Sequence, residues 1–147
     1  MGDPEETLDV EEAIARLNDS LRLQYRSAHQ YMLSSGSLFG FEFQALGDRL
    51  WEYAVAELAD ARKLVEKIVA LGGEPTTEMA PLAWTGVPDA AVDRLVETES
   101  EAVETLQRAI EPTGREGHSE ALEHMLEHLI MRKQSQIDFL VRAMRRP

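Results

Sequence analysis

An all-α chain folded as a four-helix bundle, with one long crossover between the second and third helices, is the architecture this sequence predicts. Three observations carry that prediction. Four segments repeat apolar residues at helical spacing. The first and third junctions between them are short and marked by glycine or proline. The remaining junction is the one long stretch with no helical period.

The 147 residues suffice for a single domain, 1–147, with a sizeable core. A content of 44% hydrophobic and 29% charged residues reads as soluble and globular. No apolar run is long enough to cross a membrane, and the acidic N-terminus lacks the basic-then-apolar pattern of a leader. The expected location is therefore cytoplasmic. Without cysteine there are no disulfides and no thiolate sites. A formal charge of −12 argues against non-specific nucleic-acid binding, which needs clustered Lys and Arg. That charge suits metal cations, or solubility alone.

Helix one is expected from about Asp9 to Phe39. Asp9 followed by Glu12 has the form of a capping box, and Ile14, Leu17, Leu21, Ala28 and Tyr31 mark its buried stripe. Gly36 and Gly40 bracket a break that favours an antiparallel hairpin. Helix two runs from about Phe41 to Leu71, with Leu50, Ala54, Ala61, Leu64 and Ile68 inward, and ends on Gly72-Gly73. The segment 74–87 follows, with two prolines. Extended, it spans up to about 50 Å, against about 45 Å for a thirty-residue helix, so it can climb the bundle and set helix three parallel to helix two. Helix three runs from Pro88 to about Glu111, with Val92, Leu95, Val96, Val103, Leu106 and Ile110 inward, and is stopped by Pro112 and Gly114. Helix four runs from about Ser119 to Arg145, with Leu122, Leu126, Leu129, Ile137 and Leu140 inward. Arg142, Arg145 and Arg146 suit the negative end of its dipole.

Near mid-height every helix turns a polar residue into this core. Helix one offers Gln24, helix two Glu57 and Asp60, helix three Glu99, and helix four Lys133 and Gln136. Buried carboxylates are costly unless a cation, a proton or several donors meet them. Of the four glutamates at 97, 99, 101 and 104, only Glu99 shares the phase of the stripe; the others read as a solvated face.

A di-iron carboxylate bundle takes one acid from each of two helices and a Glu-x-x-His from each of the other two. The inward residues follow that plan with substitutions, and the chain resembles the ferritin-like superfamily, bacterioferritin most closely, over nearly its whole length. LNDSLRLQYRSAHQYML resembles the family's first helix, with Tyr31 at the site tyrosine and Gln24 in place of the iron-binding Glu. ELADARKLVEKIVALGGEP resembles the second helix, with Glu57 kept and Asp60 in place of the histidine. Glu99 matches the third-helix glutamate. MRKQSQIDFL resembles the fourth helix, with Lys133 for the glutamate and Gln136 for the histidine. The family's haem methionine follows the second-helix glutamate, where this chain has Leu58, so no haem is expected by that route. The chain ends at Pro147, where those proteins continue into a fifth helix. The assembly expected is thus a two-fold homodimer through helices one and two in preference to a larger cage.

The family's full site carries four carboxylates and two neutral histidines, formally −4. Three carboxylates with Lys133 give −2. A protonated amine has no lone pair for a metal and brings its own charge. The favoured reading is a site where Lys133 pairs with Glu57 and Glu99, giving a non-catalytic, dimeric binding or structural protein without a cofactor. The alternative is an iron-binding protein that oxidises or stores iron through a reduced site. There Glu57, Asp60 and Glu99 would ligate a single iron or other divalent metal, with Gln24, Lys133, Gln136 and Tyr31 completing the former site. Elsewhere, Glu120, His124 and His128 lie at i, i+4, i+8, a spacing able to chelate zinc, nickel or copper but more simply read as exposed or interfacial. His29 reads as surface or interface, and Trp51 and Trp84 as packing residues.

Overall fold

A computed structural model describes residues 8–110 and 117–144. It holds four long helices, α1 (Val10–Ser37), α2 (Gln44–Ala70), α3 (Pro88–Ile110) and α4 (Gly117–Ala143), with a short 3-10 turn at Phe41–Phe43. No strand occurs among the described residues. The expected stops at Pro112 and Gly114, and Arg145 and Arg146, lie outside the described residues.

Local chemistry sets the helix ends. Asp9 caps α1 by accepting the Glu12 N–H at 3.1 Å, while the Glu12 carboxylate turns to Arg16 at 3.3 Å. Only the Asp9 half of the expected capping box is therefore used. At the end of α2, Gly72 takes φ +87, and the N–H groups of Gly72 and Gly73 return to the carbonyls of Val69 and Ile68. This pair of bonds needs a left-handed residue, which glycine supplies without strain. Gly73 is also where α2 abuts α1, since a Cβ there would lie 2.7 Å from Ile14 Cγ2.

Pairings across the bundle fix its directions. Gln24 meets Glu57 and Ile14 meets Gly73, so α2 is antiparallel to α1. Arg26 meets Glu101 and Gln30 meets Thr98, so α3 is antiparallel to α1 as well. Consequently α2 and α3 run parallel, which the crossover 74–87 must accomplish. It does so strapped along α1. Asn18 bonds Glu74 and Thr76, Tyr25 donates to the Thr76 carbonyl at 2.9 Å, and the Ala80 N–H donates to the Arg22 carbonyl at 3.1 Å. Higher up, the side-chain Oε1 of Gln30 accepts from the Ala83 N–H at 2.8 Å. Backbone groups that would otherwise be orphaned in this irregular segment thus find partners on a rigid helix.

Two large apolar clusters fill the ends of the bundle, and a small third one of Leu23, Ala80 and Ala102 seats the crossover. One apolar cluster gathers Leu17, Leu21, Leu64, Ile68, Leu106 and Leu126 with their neighbours at one end. The second gathers Tyr31, Leu50, Val92, Leu95 and Leu140 at the other. Glu57, Glu99, Lys133 and Gln24 lie at the levels between them, all buried. Trp51 departs from expectation. It is 54% exposed on the outer face of α2 and packs no core within this chain. Trp84 is half-buried in the crossover.

Candidate functional site

Helical phase places the layer. Gln24 and Ser27 face inward from α1, Glu57 from α2, Glu99 from α3, and Lys133 with Gln136 from α4. The Lys133 ammonium donates to Glu57 Oε2 at 2.7 Å and to Glu99 Oε1 at 3.1 Å. The Gln24 amide nitrogen donates to both the carboxylate and the backbone carbonyl of Glu57. Ser27 Oγ donates to Glu99 Oε1. The Gln136 amide is oriented by the network: with its nitrogen toward the acids it donates to Glu57 Oε1 and Glu99 Oε2. Every neighbour of the two glutamates in this set is a donor.

Burial, and next the charge of Glu99, lift Glu57 to about 8 against the pull of Lys133. Burial alone would push Lys133 down, but Glu57 and Glu99 more than offset it and raise the amine above its ordinary value. Tyr31 closes the layer on one side. Burial, then Glu99 and Glu57, hold its phenol well above the ordinary value, and it rests edge-on against Tyr53 at 5.5 Å.

Asp60 is equally buried yet stands apart. Its nearest cations are Arg132 at 3.2 Å and Lys63 at 3.7 Å, both on partly exposed side chains, and neither carboxylate oxygen has a hydrogen bond of ordinary geometry. Burial raises its pKa against the pull of Arg132 and Lys63. Of the sequence-predicted set, then, Gln24, Glu57, Glu99, Lys133 and Gln136 come together, Tyr31 adjoins them, and Asp60 is answered from the rim. Among the described residues, no three His, Cys, Asp or Glu side chains are grouped so as to hold a metal ion. As placed, with amine and amide donors on the carboxylate oxygens, these residues do not fit a two-metal centre.

Sequence reasoning missed Ser27. Its signal was available, because Ser20, Gln24, Ser27, Tyr31 and Ser34 recur every three or four residues along the buried side of α1. Arg26 and Gln30 were missed too; both tie α1 to the crossover and to α3. Outside the layer, Leu58 is 62% exposed. It lines a groove of about 530 Å³ on the outer face of α1 and α2 together with His29, Met32, Trp51 and Val55. His124 and His128 are exposed and touch each other, while Glu120 is exposed and does not complete a metal-holding group with them.

Four helices in this order, with a crossover joining two parallel members and a polar layer at mid-height, define a ferritin-like bundle. The sequence profile described as "Ferritin-like domain" matches residues 14–146, and the chain belongs to that family. The bacterioferritin of Desulfovibrio desulfuricans is 33% identical over 70 residues, which are 48% of this chain. The chain spans 39% of the length of that curated relative. A ferritin-like, diiron-carboxylate protein from Bacillus anthracis superposes with a TM-score of 0.86 at 25% identity, covering 93% of this chain and 98% of that one. A Rhodobacter capsulatus bacterioferritin, solved with haem iron and a metal-free dinuclear site, superposes with a TM-score of 0.80. That pair is 21% identical, with 88% of this chain and 81% of the other covered, a likeness of fold. No helix among the described residues is long and apolar enough to cross a membrane.

Proposed function

We propose that this chain is a bacterioferritin-like protein in which a lysine–carboxylate cluster replaces the di-iron centre, and that it works as a dimeric binding or structural protein without iron oxidation. One observation carries the reading. The Lys133 ammonium, wholly buried, bonds Glu57 and Glu99 at once. A cation fixed by covalent attachment competes with any mobile cation for the same oxygens, and the flanking amides of Gln24 and Gln136 add donors where a metal needs acceptors. The dimer rests on the outer face of α1 and α2. Met32, Trp51, Val55 and Leu58 are exposed there side by side, an apolar surface suited to an isologous contact. The position after Glu57, where the resemblance implies a haem methionine, holds Leu58.

The test is metal analysis of untagged protein from iron-supplemented cells, with its mass in solution and its oxygen consumption on adding ferrous ion. The expected result is a dimer without stoichiometric iron and without oxygen uptake. Bound iron with oxygen uptake would overturn it in favour of iron chemistry at a reduced site using Glu57, Asp60 and Glu99.

A further inference from the structure

We propose that the outward face of α4 carries a binding site for a borderline divalent transition-metal ion, held by the Nε2 atoms of His124 and His128. The two rings lie one turn apart on a continuous helix, edge-on with centroids 4.6 Å apart, and their Nε2 atoms are separated by 3.1 Å. Metal–imidazole bonds of about 2.0–2.1 Å, meeting at between 90° and 110°, require two ligand nitrogens about 2.9–3.4 Å apart. The observed separation falls within that range, so the backbone already sets the spacing of two adjacent ligands on one ion.

The contact itself restricts what the pair can be. Two neutral imidazoles approach this closely through Nε2 only when one N–H donates to the other's lone pair. A metal ion takes the place of that single shared hydrogen once both rings carry their hydrogen on Nδ1. Small rotations then direct both lone pairs to one point. Both side chains are exposed, so the ion can enter from solvent and keep water in its remaining positions. Neither Glu120 nor any other described acid completes a three-residue group, and the site is bidentate. The chain's net charge of −12 raises the local concentration of cations around it. Imidazole pairs bind divalent ions in an order that peaks at copper, so Cu(II) is the sensitive probe and Zn(II) the redox-silent check.

The site is independent of the buried layer, because Lys133 faces the core from the same helix and has no accessible surface. Untagged full-length protein is titrated with Cu(II), followed by calorimetry and electron paramagnetic resonance. One equivalent per chain with coupling to imidazole nitrogens is expected, and Zn(II) should compete for it. His124→Ala and His128→Ala should each weaken binding by at least the roughly 10–100-fold that loss of a supporting partner costs at metal sites. His29→Ala, on the far groove, should leave it unchanged, and circular dichroism checks that every variant stays helical. Unaltered Cu(II) affinity in the His124→Ala/His128→Ala double variant, or wild-type spectra lacking imidazole nitrogen coupling, would overturn the proposal.

Discussion

Glu57 and Asp60 sit three residues apart on α2 and are equally shut off from water, yet one is answered from inside the bundle and the other from its rim. Around Glu57, an ammonium and two amides come from α4 and α1, and all are buried. Around Asp60, the cations belong to Arg132, which is 42% exposed, and to Lys63, which is half exposed. Burial of an acid therefore does not by itself reveal its role. What distinguishes the two is whether the answering charge can leave. Lys133 has no route to solvent, whereas Arg132 exchanges Asp60 for water at little expense.

The comparison can be broken outright by rebuilding the inner side as a metal centre. Gln24→Glu, Asp60→His, Lys133→Glu and Gln136→His together should give a chain whose bundle binds about two ferrous ions, more iron than the parent takes up. Absence of any gain, by metal analysis on folded protein, would reject the register assigned to these six positions. Lys133→Met alone should cost roughly 3–5 kcal/mol, because it removes the buried cation that answers the charge shared by Glu57 and Glu99. For a chain of this length that is on the order of 10 °C in Tm by calorimetry at neutral pH. An unchanged Tm would mean that the amine is not paired in solution.

Acidity sharpens the contrast further. Glu57 keeps in the fold a proton that the unfolded chain gives up above its ordinary value of 4.5. With more protons bound in the folded state, stability from this residue declines as pH rises from that value to about 8, then levels off. Glu57→Gln should therefore gain in Tm relative to the parent across that interval, and a constant difference would count against the shift. The smallest effect is expected at the rim. Arg132→Ala should cost less in denaturant titration than Lys133→Met, since Arg132 is 42% exposed and Lys63 still faces Asp60 when it is gone.

The helices were legible because their limits carry chemistry. Asp9, the Gly72-Gly73 pair and Pro88 each mark a boundary to within a residue or two of where it falls. The inward set was legible for a related reason, as phase alone places Gln24, Glu57, Glu99, Lys133 and Gln136 on buried sides. Phase could not separate Asp60 from Glu57. Three residues apart on a helix differ by about 60° around the axis, enough to move a carboxylate from the interior toward α2's border with α4. Nor could it find the crossover's attachment to Asn18, Tyr25 and Gln30, since an aperiodic segment carries no signal for its neighbours. Trp51 was read as a packing residue from its type, and it is 54% exposed instead. The 3-10 turn at Phe41–Phe43 was read as the first turn of helix two; of its two aromatics only Phe43 packs against the core, and Phe41 is exposed.

A polar rung between two greasy halves also governs how the helices can slide. Moving α4 by one turn, about 5.4 Å, would bring Leu129 or Ile137 opposite Glu57 and Glu99 and drive the ammonium into hydrocarbon. Leucine-rich stripes alone would tolerate such a slip, since one aliphatic face resembles the next. The rung tolerates none, and so acts as a bolt that locks the four rods at a single axial setting.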